Sequence, residues 1–428
     1  MRRTAATLLA IPMLMAAGWA AAAEITFWHS FTQPARIAAM EETAAKFKEE
    51  TGHTVHLEVV PWPNVEEKWT TAAAAGTLPD ASICLPSVCL DMNEAGVSRS
   101  MDGVAERLGG TDAFASQGLL DSFNTVDGRL ISLPFYGHAR LLIYRKDIFA
   151  EAGLEPPTTW EELIEVAAAA TKAPERYGFV QMLDAGDTGT TQYLFLAMQA
   201  NGGTFLGPDG NASFNTPDNV AAVRTLLKLY EVGSPEGELS LAYHRDLFDL
   251  FTTGKSAMVL DTAFLVGIAK DKAPELVDNI GFVAPPAGTQ TPWRIGHVGV
   301  TVMQGENEDV ADEWVAYIYR DDHYIRFLHT IALGMYPATK SAAGNPAFFS
   351  HPTIEKFSNA AELTLEGIAK GTDIGMVYGP NPNAGAVYGS GIIERMMQDI
   401  ILNGTEVEAA VASAHDEIQE LIDRTSRR

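Results

Sequence analysis

The sequence predicts an α/β protein of two interwoven lobes, the first built on a parallel sheet flanked by helices. Three observations carry this reading. The segment from Glu24 to Leu85 runs strand, helix, strand, helix, strand, the order of a parallel sheet covered on both faces. The chain has 428 residues, more than one typical hydrophobic core organises. No internal repeat or low-complexity linker divides it, so the lobes are expected to be interwoven rather than strung in series.

The elements follow in order. Glu24–Trp28 reads as a strand with Ile25 and Phe27 on one face. A helix is predicted from Pro34 to Thr51, with Ile37, Met40, Ala44 and Phe47 inward and Gly52 as its stop. In His53–Val60, Val55, Leu57 and Val59 alternate as in a strand, which places His53 and His56 on an exposed edge. Val65–Ala75 is a helix stopped by Gly76, and Asp80–Leu85 is a third, buried strand. Further on, Arg140–Tyr144 reads as a short strand leading into the helical turn Lys146–Gly153. Thr159 and Glu162 form a capping box. Thr216-Pro217 opens another helix, with the threonine as cap and proline in the first turn.

The N-terminus reads as a secretory signal peptide, residues 1–23. Arg2 and Arg3 are its basic region, Leu8–Ala17 its apolar core, and Ala21-Ala22-Ala23 its cleavage pattern. No cysteine follows to carry a lipid, and no second apolar run is long enough to span a bilayer. A soluble periplasmic protein is the expectation. The chain carries 30 basic and 55 acidic residues. That excess argues against nucleic acid or an anionic membrane as partner, because like charges repel. Its two cysteines, Cys84 and Cys89, are candidates for a disulfide in an oxidising compartment, with two buried thiols as the alternative. No Cys or His set stands at metal-ligand spacing, and no metal or cofactor is expected.

Four segments together carry a resemblance. Tyr144-Arg145-Lys146-Asp147-Ile148-Phe149 followed by Pro157-Thr158-Thr159-Trp160-Glu161-Glu162-Leu163 is one. Asn201-Gly202-Gly203 leading to Phe214-Asn215-Thr216-Pro217 is the second, Phe251-Thr252-Thr253-Gly254-Lys255-Ser256-Ala257-Met258 the third, and Gly76-Thr77-Leu78-Pro79-Asp80 the fourth. In this order the chain resembles the extracellular solute-binding proteins of ABC sugar importers, including the maltose- and glycerol-phosphate-binding types. The resemblance covers essentially the whole mature chain. It implies the two-lobed periplasmic binding protein fold, each lobe a mainly parallel sheet flanked by helices with multiple hinge crossings between them, a monomer that closes about its hinges on a solute, and ABC importer permease subunits as partners. It also places crossings near Pro134–His138, Gly296–Val300 and Pro337–Ser341. The lobes so defined are 24–135 with 297–338, and 136–296 with 339–428.

A carbohydrate site needs aromatic plates and converging polar groups in a cleft, and loops after parallel strands point there. His29 and Gln33 after the first strand and Ser87 after the third are candidates, while Trp28 is core or platform with equal claim. Family members place polar cleft residues, often a carboxylate, in the loop of Ser87; here none is present. By the resemblance, Tyr136 and His138 occupy ligand positions, and Phe264 stands where the family stacks an aromatic ring on sugar. Asp261 is placed to accept from hydroxyls, and Gly296 and His297 lie in a glycine-rich segment. Trp293 is a contact or a buried plug, Tyr336 is placed to close the pocket, and Tyr388 is the candidate in the Gly-, Pro- and Asn-rich stretch Tyr378–Tyr388. Arg140 reads as a core residue paired structurally. Glycerol-phosphate binders carry an arginine close to Tyr388, and the stretch Gly385–Gly391 has none. A carbohydrate is therefore expected ahead of a glycerol-phosphate-like or cationic (polyamine) solute. A glycoside-processing enzyme is the rival from another class, and no catalytic motif supports it.

Overall fold

The computed structural model describes residues 22–125, 127–234 and 245–425. The expected signal peptide lies outside the described residues up to position 21. The chain begins with β1 (Glu24–His29), α1 (Pro34–Thr51), β2 (Thr54–Val59), α2 (Val65–Ala75), β3 (Ala81–Cys84) and α3 (Pro86–Glu94). β1 pairs in parallel with β2 on one side and β3 on the other. Gly52 ends α1 in the left-handed region at φ 82°, where its N–H donates to the Lys48 carbonyl, a geometry that glycine adopts without steric cost. β2 is the sheet edge, and His56 there is exposed, its Nε2 3.0 Å from Glu24.

The chain then runs through β4 (Leu133–Ala139), passes Arg140 and enters β5 (Leu141–Arg145). β6 (Tyr177–Phe179), β7 (Ser256–Asp261) and β8 (Ile280–Val283) follow, then β9 (Ile295–Val302) and β10 (Tyr336–Pro337). Six strands form one sheet in the order β10-β4-β9-β3-β1-β2, and four form a second in the order β6-β7-β5-β8. The expectation of mainly parallel sheets holds for β2-β1-β3 and for β6-β7. Elsewhere the strands run antiparallel. For β4 and β9 the reason is the path of the chain: β4 carries it out of the first sheet and β9 brings it back, so these two neighbours point in opposite directions.

The second sheet is flanked by α4 (Trp160–Ala170), α5 (Gly189–Gln199) and α6 (Pro217–Gly233). The capping box at Thr159 and Glu162 is formed, and Thr216 caps α6 with Pro217 in its first turn. The C-terminal part adds α7 (Ser358–Lys370), α8 (Ala384–Tyr388), α9 (Ile392–Asn403) and α10 (Val407–Thr425). Aromatic rings anchor both cores. In the first, Phe27 and Phe47 meet Trp314 edge-on at 5.7 and 5.4 Å; in the second, Phe205 stacks between Phe195 and Phe214. Among the described residues no helix is long and apolar enough to cross a membrane.

Candidate functional site

A cleft of about 840 Å³ opens between the two sheets, within the usual size of small-molecule sites. One wall comes from the ends of the first unit: Gln33 and Arg36 at the start of α1, Trp62, and Leu85, Pro86, Ser87 and Leu90 around α3. The facing wall is Thr188 and Gln192 of α5, Thr262 and Phe264 beyond β7, and residues 373–389 around α8. The crossing strands supply the floor through Tyr136, His138, Arg140, Arg294, Gly296 and His297. The walls meet at the rim, because a Cβ added at Gly385 would lie 3.5 Å from the Ser87 side chain.

Eight of the residues expected at the site line this cleft: Gln33, Ser87, Tyr136, His138, Phe264, Gly296, His297 and Tyr388. Tyr136 accepts from Arg36 Nη2 at 3.1 Å, and the Tyr388 hydroxyl lies 3.0 Å from Thr188 Oγ1. His138 lies against Gly296, its strand partner, where any Cβ would fall 2.1 Å from the ring. Only glycine admits the imidazole at that spot.

The other four do not line it. His29 is buried, stacked on Phe31 at 5.1 Å, with Nδ1 accepting from the Phe31 N–H. Trp293 is the buried plug, packed so tightly on Gly367 that a Cβ there would come within 2.7 Å of the indole. Tyr336 is buried against Phe348, 5.9 Å between ring centres. Asp261 is fully buried and pairs with Arg140, Oδ1 to Nη1 2.7 Å. A buried guanidinium consumes this carboxylate, which therefore serves as counter-charge rather than acceptor for a solute.

Three arginines are the residues that the sequence reading leaves out. Arg140 keeps its structural pairing and also lines the cleft. Its Nη2 and Arg294 Nη1 both donate to Oε1 of Gln192, the latter at 3.1 Å, so one amide of the second unit holds two floor cations. Arg294 faces Asp373 at 3.5 Å and lies 5.7 Å from the centre of the Tyr388 ring. A guanidinium therefore stands beside Tyr388 although Gly385–Gly391 contains no arginine; it arrives from β9's approach instead. Arg36 lies on the inner stripe of α1, where Ile37 was expected and is only half-buried. A charge in the register of Met40, Thr43 and Phe47 is the signal that marks it.

Burial also sets the charge of two histidines. His29 is held at a pKa of about 4, first by desolvation and then by the charge of Arg36. His297 is likewise pushed down to about 4 by burial, with Asp373 raising it and Arg294 lowering it. Both are neutral near pH 7.

Cys84 and Cys89 are joined by a disulfide, Cα–Cα 5.8 Å, that ties the end of β3 to α3. Leu85, Pro86 and Ser87, which it encloses, all line the cleft. Closing so short a loop removes roughly 2 kcal/mol of unfolded-state freedom and keeps one wall ordered before a solute arrives. Replacing both cysteines by alanine is expected to cost roughly that much in urea unfolding and to weaken solute binding. Unchanged affinity in the double variant would show that the wall holds its shape without the bridge.

Comparison with known proteins follows from this geometry. The family model for bacterial extracellular solute-binding proteins matches residues 32–324. A protein of Brucella abortus (strain 2308) named as a binding protein is 28% identical over 326 residues, 74% of this chain and 77% of that one. A protein of Escherichia coli (strain K12) named as an ABC transporter periplasmic-binding protein is 23% identical over 413 residues, 94% and 93% of the two chains. Among solved structures, the sugar-binding protein MalE of Xanthomonas citri superposes with a TM-score of 0.78 at 20% identity, covering 94% of this chain and 98% of that one.

Proposed function

The chain belongs to the bacterial extracellular solute-binding protein family, and from that premise we propose that it captures a carbohydrate between its lobes for an ABC importer. The family works with ABC permeases by delivering small solutes, and the E. coli relative's name supports delivery from the periplasm. The N-terminal signal peptide read from the sequence fits that location. One observation carries the choice of carbohydrate. The cleft combines ring faces, Trp62, Tyr136, Phe264 and Tyr388, with donors and acceptors from Gln33, Ser87, His138, Thr188 and Gln192. Rings cover the C–H faces of a sugar while the polar groups exchange hydrogen bonds with its hydroxyls. The Xanthomonas neighbour of the same fold is named as sugar-binding.

A cationic solute finds little support here, because three arginines and one aspartate line the cleft. Crossings at Arg140 and Arg294 are part of this reading, supported by the strands before and after each, which belong to different sheets. A third runs through α7, which packs on β4 of the first sheet and on β5 and β8 of the second. A solute that touches both walls favours the closed arrangement of such a hinge.

Thermal-shift screening tests the reading. At a hundredfold excess over Kd, a ligand of the folded state adds about 2.7 kcal/mol, a rise on the order of 3 °C for a chain of this size. Sugars or sugar derivatives are expected to give it, and polyamines and amino acids are not. A shift with amines or amino acids and none with sugars would refute the carbohydrate assignment.

A further inference from the structure

Of the three cleft arginines, two are matched and one is not. Arg140 faces Asp261 at 2.7 Å and Arg294 faces Asp373 at 3.5 Å. Arg36 is 6% exposed, lines the cleft and has no carboxylate at salt-bridge distance among the described residues. Its neighbours are neutral: Tyr136 Oη at 3.1 Å, Gln33 Oε1 at 3.4 Å and Met335 Sδ at 2.9 Å, with its Nε left without a partner. The Phe31 ring lies 4.2 Å from the guanidinium. Such a ring softens the cost of burying a cation but supplies no counter-charge.

This arrangement is costly in three ways. Arginine cannot shed its proton, so it cannot escape burial by neutralising, as a lysine or histidine does. A buried charge without an opposite partner is among the most unfavourable groups a protein can hold. Arg36 also stands in the first turn of α1, which carries no acidic residue, at the positive end of the helix dipole. The charge nevertheless makes itself felt nearby, since it helps keep His29 unprotonated. A structural arginine would be expected to sit on an acid, as the other two do. One that lines a solute cleft without an acid is poised for an anion that arrives with the solute.

Resting on the carbohydrate reading, we infer that the solute is a sugar acid, a polyhydroxylated monoanion whose carboxylate docks on Arg36 while its ring or chain lies between Tyr136, Phe264 and Tyr388. One carboxylate is the charge that balances the cleft, because the remaining arginines already have their aspartates. A guanidinium pairs with a carboxylate through parallel hydrogen bonds, which adds orientation to attraction. A dianionic phosphate would overshoot the single unmatched charge.

Calorimetric titration of the full mature chain with matched pairs tests this: D-galacturonate against D-galactose, D-gluconate against D-glucitol, and galactose 6-phosphate as a dianion. At least one acid is expected to bind tenfold or more tightly than its neutral partner. Arg36→Gln is expected to erase that preference by weakening the acid alone, and Arg36→Lys to restore part of it. Circular dichroism and melting temperature establish that the variants fold, and the wild-type ratio decides even if they do not. Equal or tighter binding of the neutral sugar would overturn the sugar acid and leave the carbohydrate reading standing. Tighter binding of the sugar phosphate would overturn the monoanion. Binding of glutarate with none of the sugars or sugar acids would remove the carbohydrate reading and this inference with it.

Discussion

Replacing Arg140 with methionine is expected to lower unfolding stability by about 3–5 kcal/mol, measured by urea titration. The side chain is 1% exposed and its partner Asp261 is 0% exposed, so neither has water to fall back on. Removing the guanidinium strands a carboxylate in a medium that solvates it poorly, and also strips a donor from Gln192. The position adds to the effect. Arg140 is the single residue between β4 of one sheet and β5 of the other, and its backbone N–H donates to the Arg294 carbonyl on the returning crossing, 3.2 Å away. The loss therefore falls where the chain passes from one sheet to the other. The paired change Arg140→Met with Asp261→Leu is expected to recover most of the stability, since apolar replacements of a buried ion pair are often neutral or stabilising. It should leave solute binding impaired, because the cleft floor loses its donor. A cost under 1 kcal/mol for Arg140→Met alone would mean that water reaches the pair.

The same region shows what a sequence reveals and what it hides. The β1–β3 unit was legible because strand alternation, helix stripes and glycine stops all agree there. The cleft-lining loops were legible too, because strand ends in such folds converge on one crevice. Which residue in each loop faces the cleft was not. Asp261 was expected and Thr262 lines it, Trp293 was expected and Arg294 lines it, and Tyr336 was expected where Met335 lines it. These three misses are each by one position; His29 has no cleft-lining neighbour on either side. Successive side chains of a strand point to opposite faces, so near a strand end the parity depends on neighbours the sequence does not name. Arg36 was hidden for a different reason. A stripe read by hydrophobicity passes over a buried charge, and its neutral surroundings come from Tyr136 and Met335, 100 and 299 positions away in the chain.

Acid sensitivity is the other large expected effect, and it follows chiefly from the two histidines that are held lowest, His29 and His297. His29 and His297 both sit near pKa 4 in the folded chain, against about 6.5 when unfolded. Between those values the unfolded chain binds protons that the folded one refuses, so stability rises with pH across the window and is lost as pH falls from about 6.5 towards 4. Below pH 4 both states are protonated and the loss levels off. Each histidine contributes on the order of 3 kcal/mol to that fall. Exposed carboxylates with lowered pKa, such as Glu162 and Asp209, also withdraw stability in acid. They titrate below the range where the histidines begin, so the drop between pH 6.5 and 5 belongs to the imidazoles. Urea unfolding at pH 7.5, 6, 5 and 4 is expected to trace it, and His29→Gln and His297→Gln are each expected to flatten the slope, with His323 and His351, which burial also lowers, supplying a smaller part in the same direction. A wild-type stability that stays level from pH 7.5 to 5 would show that these rings are hydrated. The two differ in their bearing on function, because His29 is sealed beside Arg36 while His297 lines the cleft with Arg294 and Asp373 near it. A carboxylate docked on Arg36 offsets the charge that helps to lower His29, so solute and proton favour each other there. The acid loss carried by His29 should therefore shrink in saturating sugar acid, and the loss carried by His297, whose charged neighbours are Asp373 and Arg294, should shrink less.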